Sequence, residues 1–360
     1  MRRSRSMRWL SLFAVAAFAV GACSSSGSSS APSTAASEAP APSADASVEP
    51  SAAARPGTKE FSVAFTSVGL SSSPFLAAID KLNKEQGYNI TTQEIAESEL
   101  VTAGVAAGDF AFGSGANNAT MAAVEKGANL KAVVARVANE WTLYARTDIA
   151  DCAGLAGKRL AIHSQGAVST AMVRNYIETV CPGTEPEYVV IEGSNNRVAA
   201  MLADQIDASP LELSDSITID TEASDRYHQI ASFAKDLPDL QTTSIYVNGD
   251  WAAENPGSVD AIVKAVLEIN REIEGNAARL QEIAETFVPD AINADTIGAA
   301  TQKYVELGMF PTDGGITAEN LQYTAEFFGP DGAGSTTVLL TPDQFSDLSY
   351  LEQALSDLGG

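Results

Sequence analysis

Phe61-Ser62-Val63-Ala64-Phe65-Thr66-Ser67-Val68-Gly69-Leu70-Ser71-Ser72-Ser73-Pro74-Phe75-Leu76-Ala77-Ala78 reads as a strand, a loop of small polar residues and the start of a helix. Residues 61–66 are short, apolar and aromatic, as a sheet strand requires. Pro74 suits a first helical turn, and Gly87 closes the helix expected over 74–86. The same grammar recurs outward. Strands are expected at 88–95, 109–113 and 130–137, with a helix capped by Ser98 over 98–107 and another over 117–126 stopped by Gly127. The chain then crosses at 139–146. A second unit follows: strand 158–163, helix 167–180, strand 188–191, helix 195–203 and strand 206–209. Strand 243–247 returns to the first unit. Helix 256–274, capped by Asn255 and opened by Pro256, carries Val259, Ile262, Val263, Val266 and Leu267 at helical spacing. The C-terminal third is mostly helical. Strands alternating with helices predict parallel sheets, and a chain that leaves one α/β unit and returns predicts two lobes on a two-stranded hinge.

The N-terminus reads differently. Arg2, Arg3, Arg5 and Arg8 precede an apolar run of 12 residues, 9–20, too short to span a bilayer. Val20-Gly21-Ala22-Cys23 resembles a bacterial lipobox, which implies cleavage before Cys23 and a lipid on its thiol. Residues 1–22 are therefore expected to be a signal peptide. Residues 23–57, almost entirely Ser, Ala, Pro, Thr and Glu, are expected to be a disordered stalk. The first lobe is expected to comprise 58–142 and 243–360, and the second 143–242.

The chain carries 22 basic and 46 acidic residues; without the four signal arginines the balance is 18 − 46 = −28. Such a surface argues against nucleic acid, whose binding rests on neutralising phosphates. Three Cys occur. With Cys23 lipidated, Cys152 and Cys181 remain, either as a disulfide closing the strand-and-helix unit between them or as two buried thiols.

Motifs for catalysis are sparse. His163 ends a strand and either touches ligand or bonds locally; His228 reads as a surface residue. No His, Cys and carboxylate spacing suits a metal, and no cofactor is expected. Three strand-to-helix loops are rich in small polar residues: Thr66 to Ser73, with Ser67, Gly69, Ser71 and Ser72; then Gly113-Ser114-Gly115-Ala116-Asn117; then Ser164-Gln165-Gly166-Ala167-Val168-Ser169-Thr170. Each is either an ordinary helix cap or part of one site for a polar ligand head, since ligands of open α/β sheets bind beyond the strand ends. Trp141 at the crossover is either an aromatic wall or a packed hinge residue. Glu212 either faces a cationic group or serves the following helix as an N-terminal carboxylate.

Several motifs in order carry a resemblance over about residues 61–358. They are Ser73-Pro74-Phe75-Leu76-Ala77-Ala78, Ala106-Ala107-Gly108-Asp109-Phe110-Ala111-Phe112-Gly113, Lys126-Gly127-Ala128 and Leu155-Ala156-Gly157-Lys158-Arg159-Leu160-Ala161, with Arg197 to Ala208 following. The chain resembles the substrate-binding proteins of nitrate, sulfonate and taurine importers, a group that includes binders of thiamine-pyrimidine precursors. The resemblance implies a bilobal, periplasmic-binding-protein-like α/β fold of type II. It also implies a monomeric, extracytoplasmic protein that delivers a small solute to an ABC importer permease. Departures are Asp80-Lys81-Leu82 in place of Gly-x-Phe, Asp204-Gln205 in place of Gly-Gln or Gly-Glu, the lack of Arg or Lys in the three polar loops, and the lack of the pyrimidine binders' Cys-rich motif. Two rivals stand beside this expectation: a secreted pyrimidine-forming enzyme on the same fold, which would need His163, and a sensory or adhesive lipoprotein.

Overall fold

The computed structural model describes residues 55–66 and 68–359. The expected signal peptide, Cys23, the stalk up to residue 54 and Ser67 lie outside the described residues. In chain order the first elements are β1 (Glu60–Phe65), α1 (Ser73–Glu85), β2 (Asn89–Glu94), α2 (Ser98–Ala107), β3 (Phe112–Ala116), α3 (Asn117–Glu125) and β4 (Leu130–Val137). Then come β5 (Thr142–Arg146), β6 (Arg159–Ile162), α4 (Val168–Val180), β7 (Glu187–Val190), α5 (Ser194–Leu202), β8 (Ala208–Leu211), α6 (Leu213–Glu222), β9 (Tyr227–Ser232) and α7 (Phe233–Asp236). The chain closes with β10 (Thr243–Asn248), α8 (Gly249–Glu254), α9 (Pro256–Ile273), α10 (Ala277–Phe287), α11 (Ile297–Glu306), α12 (Ala318–Phe328), α13 (Pro342–Phe345) and α14 (Ser349–Asp357).

Two five-stranded sheets result, ordered β2-β1-β3-β10-β4 and β7-β6-β8-β5-β9. In the first, β1 runs parallel to β2 and β3, while β10 is antiparallel to β3 and β4. In the second, β6 runs parallel to β7 and β8, while β5 is antiparallel to β8 and β9. The antiparallel strand of each sheet is the one that has just arrived from the other sheet: β5 follows β4, and β10 follows β9. The crossings lie at 138–141 and 233–242, and each sheet defines one lobe. Both crossings are pinned to one another. Asn139 Nδ2 donates to the Phe233 and Leu237 carbonyls (2.9 and 3.0 Å), and Gln241 Nε2 donates to Val137 O at the start of the first crossing (3.4 Å).

Covered faces explain the strands. In β4, Leu130, Ala132, Val133, Val134, Ala135 and Val137 are all buried, as a strand with both faces packed must be. Helix α9 lays Val259, Ile262, Val263, Val266 and Leu267 against α1 and α14. Among the described residues no helix is long and apolar enough to cross a membrane.

Cys152 and Cys181 form a disulfide with their Cα atoms 6.0 Å apart. Cys152 precedes β6 and Cys181 follows α4, so the strand runs out, the helix returns and the two ends meet.

Four expectations need correction. Residues 113–117 are not a loop, because β3 itself spans Phe112–Ala116. Its glycines make room for a partner strand: a Cβ on Gly113 would sit 2.4 Å from Cζ of Tyr246 in β10. Ser98 is the first helical residue of α2 and not its cap; Glu97 holds the cap position. Asn255 occupies the cap position of α9 without a capping bond, because its Oδ1 accepts the Thr58 N–H (3.0 Å) and its Nδ2 donates to Trp251 O (3.0 Å). Residues 55–57, counted with the stalk on composition, dock on α9 instead. Arg55 pairs with Asp260 and lies 4.9 Å over the Tyr350 ring, and Gly257 N donates to Pro56 O (2.8 Å).

Candidate functional site

The carboxyl ends of β1, β3 and β4 in one lobe face those of β6 and β8 in the other. Between them lies a cavity of about 20 Å³, room for about one water, lined by Thr66, Ser98, Arg136, Trp141, Ser169 and Glu212 with His163 and Thr243. The lobes are closed upon one another here.

Arg136 is the penultimate residue of β4 and is only 4% exposed. Its Nη1 donates to Thr66 O (3.3 Å), and its Nε has no partner among the described residues. Ser169, in the first turn of α4, is 1% exposed, and its hydroxyl is also without a partner. Buried donors left in this condition each cost about 1–3 kcal/mol. Trp141 is buried beside the cavity, and its backbone carbonyl accepts from Ala234 N (3.0 Å) within the hinge.

Glu212 follows β8 and stands at the N-cap position of α6, without a side-chain capping bond. One oxygen accepts from Ser71 Oγ of the opposite lobe (3.5 Å) and lies against Gly69, where a Cβ would come within 3.4 Å. Glu140, in the first hinge crossing, is 1% exposed; Tyr304 of α11 donates to its Oε2, and its Oε1 is unpartnered among the described residues. Burial and the Glu212 charge push the Glu140 carboxyl up to about 8. Behind Glu212, Arg197 is fully buried. Its Nε donates to Ser209 Oγ and Pro210 O (3.1 and 3.2 Å) and its Nη1 to Ile191 O (3.2 Å). Burial draws its pKa down to about 10, against the opposing pull of Glu212 and Asp215, so it stays charged at neutral pH.

The remaining polar-loop residues are engaged in closing the lobes or in the scaffold. Gly166 N donates to Glu99 Oε1 (2.8 Å), and Ser164 Oγ donates to the same carboxylate (3.2 and 3.3 Å), from the second lobe to α2 of the first. Asn118 Nδ2 crosses back to Gly166 O (2.8 Å). Thr170 Oγ1 donates to Ser164 O (2.8 Å), and exposed Gln165 takes the Arg174 side chain. Ser72 bonds locally with Gly69, and Asn117 Nδ2 donates to Gln241 O (2.7 Å). Ser114 and Gly115 lie inside the sheet next to the cavity-lining Thr66 and Ala116 and do not themselves line the cavity. Ser67 lies outside the described residues. His163 bridges the lobes as a neutral ring: Nδ1 accepts from Gly193 N (3.0 Å), so Nε2–H donates to Ala96 O (2.8 Å). Desolvation lowers its pKa, in keeping with that tautomer. His228 is half-buried, not superficial, with Nε2 on Ile149 O (2.8 Å).

Arg136, Glu140 and Glu99 were not singled out by the sequence reading. Arg136 left a signal there, because a charge one residue from the end of the uninterrupted apolar stretch Ala132-Val133-Val134-Ala135, inside a strand, must be buried with a purpose or a partner. Among the described residues no group of three His, Cys, Asp or Glu side chains is placed to hold a metal.

No curated protein matches the chain in sequence. Solved structures do match in fold. The ligand-binding component of an ABC-type import system from Staphylococcus aureus superposes with a TM-score of 0.67 at 11% identity, covering 82% of this chain and 98% of that one. The periplasmic nitrate-binding protein NrtA of Synechocystis PCC 6803 gives 0.61 at 12%, covering 84% and 90%. The alkanesulfonate-binding protein SsuA of Xanthomonas axonopodis pv. citri gives 0.59 at 15%, covering 76% and 93%. These likenesses establish the periplasmic-binding-protein fold. The profile of one sequence family, NMT1/THI5 like, matches residues 72–269, more than half of the chain and most of both sheets, and the chain therefore belongs to the NMT1/THI5-like family.

Proposed function

We propose that this protein captures a small polar solute between its lobes and delivers it to the permease of an ABC importer. One observation carries the reading: unpartnered, buried polar atoms from both lobes, Arg136 Nε and Ser169 Oγ, border one cavity at the strand ends. With the lobes parted from this one-water cavity, a solute with an acceptor group for these donors and a donor or cationic group for Glu212 would offset their desolvation. The lobes, taken as 58–142 with 243–360 and 143–242, would close over it by as much as the solute prefers the closed state. Ser71 and Gly69 would hold Glu212 in place, and Glu99 with Ser164 and Gly166 would latch the mouth. Cys23 would carry a lipid after removal of 1–22, tethering a monomer outside the membrane.

Binding is favoured over catalysis by the state of the reactive groups. Both nitrogens of His163 are engaged, and Cys152 and Cys181 are joined to each other. Native mass spectrometry of freshly purified protein tests the reading. A co-purified small molecule that is lost on denaturation and rebinds on calorimetric titration supports it. Turnover of that molecule without release of the intact compound would overturn it in favour of an enzyme.

A further inference from the structure

Glu140 is placed unlike most carboxylates among the described residues. It sits in the crossing between β4 and β5, where the lobes pivot, and each element packed against it contributes one titratable or polar group. Ser71 comes from the turn before α1, Arg136 from β4, Tyr304 from α11 and Glu212 from the turn between β8 and α6. Lys303 of α11, Asp220 of α6 and Tyr144 of β5 line the outer groove that Glu140 shares, with Tyr144 donating to Asp220 (2.9 Å). Arg136 directs Nη1 to the Thr66 carbonyl and forms no ion pair with Glu140 among the described residues. Arg197, on the far side of Glu212, is bound to the carbonyls of Ile191 and Pro210 and is felt by Asp215. Around Glu140 itself one guanidinium, Arg136, faces two carboxylates, Glu140 and Glu212, while burial and Glu212 also push the Asp215 carboxyl behind them up to about 7, so one negative charge of the buried cluster is left uncompensated. Burying it is costly, and a proton is the least expensive counterion.

We propose that Glu140 is a proton-binding site assembled by the meeting of the lobes, so that closure takes up one proton at the hinge. Its walls come from both lobes, and separating them readmits water to the carboxylate. In water a glutamate titrates near its ordinary value of about 4.3; in the closed form burial and Glu212 push it up to about 8. The closed form therefore holds the extra proton between these limits. Acidification within that window favours closure through Glu140, opposed below about pH 6.5 by His163, whose interlobe bonds and desolvation hold it neutral in the closed form. Each unit rise in pH lowers the closing constant by about tenfold, until Glu140 is ionised in both forms. This inference goes beyond the proposed transport role and does not need it, because any two-lobed protein with this hinge would show the linkage.

The experiment uses the purified full chain without added solute. Spin labels are attached through azide-bearing residues introduced at exposed Lys84 in the first lobe and exposed Glu178 in the second, and the distance distribution is read by double electron–electron resonance from pH 5 to pH 8. The closed population should fall steeply as pH rises from about 6.5 to 8, above the range in which His163 titrates. Glu140→Gln, which keeps an acceptor for Tyr304 without a titrating proton, should flatten the dependence and hold more closed protein at pH 8 than wild type. Glu212→Gln, should the first variant fold poorly, should move the midpoint to lower pH by removing the facing charge. A wild-type distribution that does not change with pH, or a pH dependence that survives unchanged in a folded variant, overturns the proposal. Neither result would touch the solute-capture reading, which stands or falls on the co-purified molecule.

Discussion

Glu99 holds the lobes together from the first lobe's side, and removing it should weaken capture without weakening the fold. Its half-buried carboxylate accepts the Gly166 N–H at 2.8 Å and shares the Ser164 hydroxyl between its two oxygens at 3.2 and 3.3 Å, which amounts to two charge-assisted bonds. Such bonds contribute about 1.5–3 kcal/mol each when fully buried. Here water solvates the carboxylate whenever the lobes part, so about 0.5–1 kcal/mol per bond is the realistic share, or about 1–2 kcal/mol in all. At about 1.4 kcal/mol per factor of ten, Glu99→Ala should raise Kd roughly 5- to 30-fold. The loss should appear as faster release. Gly166→Ala provides a second perturbation that changes no charge. A Cβ there would lie 2.2 Å from Glu99 Oε1 and would swing the flexible carboxylate out of the seam. Titration calorimetry and stopped-flow release with the co-purified solute measure the effect, beside thermal melts of the solute-free protein, which should not move. If both variants bind within twofold of wild type and release at the wild-type rate, the lobes do not meet through Glu99 when solute is bound.

Two of the orphaned serines should part company. Ser169→Ala should weaken binding by roughly 2- to 100-fold, whereas Ser114→Ala, which removes an unpartnered hydroxyl from inside β3, should leave affinity unchanged and stability equal or better; the opposite pattern in the same titrations and melts would move the site to β3. Replacing Cys152 and Cys181 together by Ser opens a loop with a sequence separation of 29 and should cost about 3–4 kcal/mol of stability, read by denaturant unfolding; a change below about 1 kcal/mol would mean that the disulfide hardly constrains the unfolded chain. Gly113→Ala forces a methyl into the Tyr246 ring and should cost about 1–3 kcal/mol or more, with a melting temperature equal to wild type refuting the close packing.

Most elements were legible because strand and helix periods are local properties. Strand β4 was read with its true bounds, and α4 and α9 to within a residue at either end. Strand β3 was displaced because Gly113 and Gly115 signal a turn when only neighbours in sequence are considered. Their actual use is to admit Tyr246, which lies far along the chain and reaches β3 only after the second lobe has been completed. Asn255 misled for the same reason: a good cap in isolation, it is claimed by Thr58. The disulfide could be anticipated because strand and helix return to the same end within one local unit.

The site shows where local reading stops. Small polar loops advertised Ser169 and the neighbourhood of Glu212, and the absence of basic residues from those loops weakened any anionic ligand. That inference looked for charge in the wrong element. The guanidinium at the cavity belongs to Arg136, at the end of a sheet strand, and the extra carboxylate belongs to Glu140, four residues later and already in the hinge. The short span from Val137 to Thr142 therefore carries the end of β4, a cavity wall in Trp141 and the crossing itself. Any charge a solute presents to Arg136 acts within a few residues of the pivot, on the same backbone that must bend for the lobes to open. In such an arrangement binding and closure share one set of atoms. Substitutions at Arg136 or Glu140 should consequently change affinity and hinge angle together.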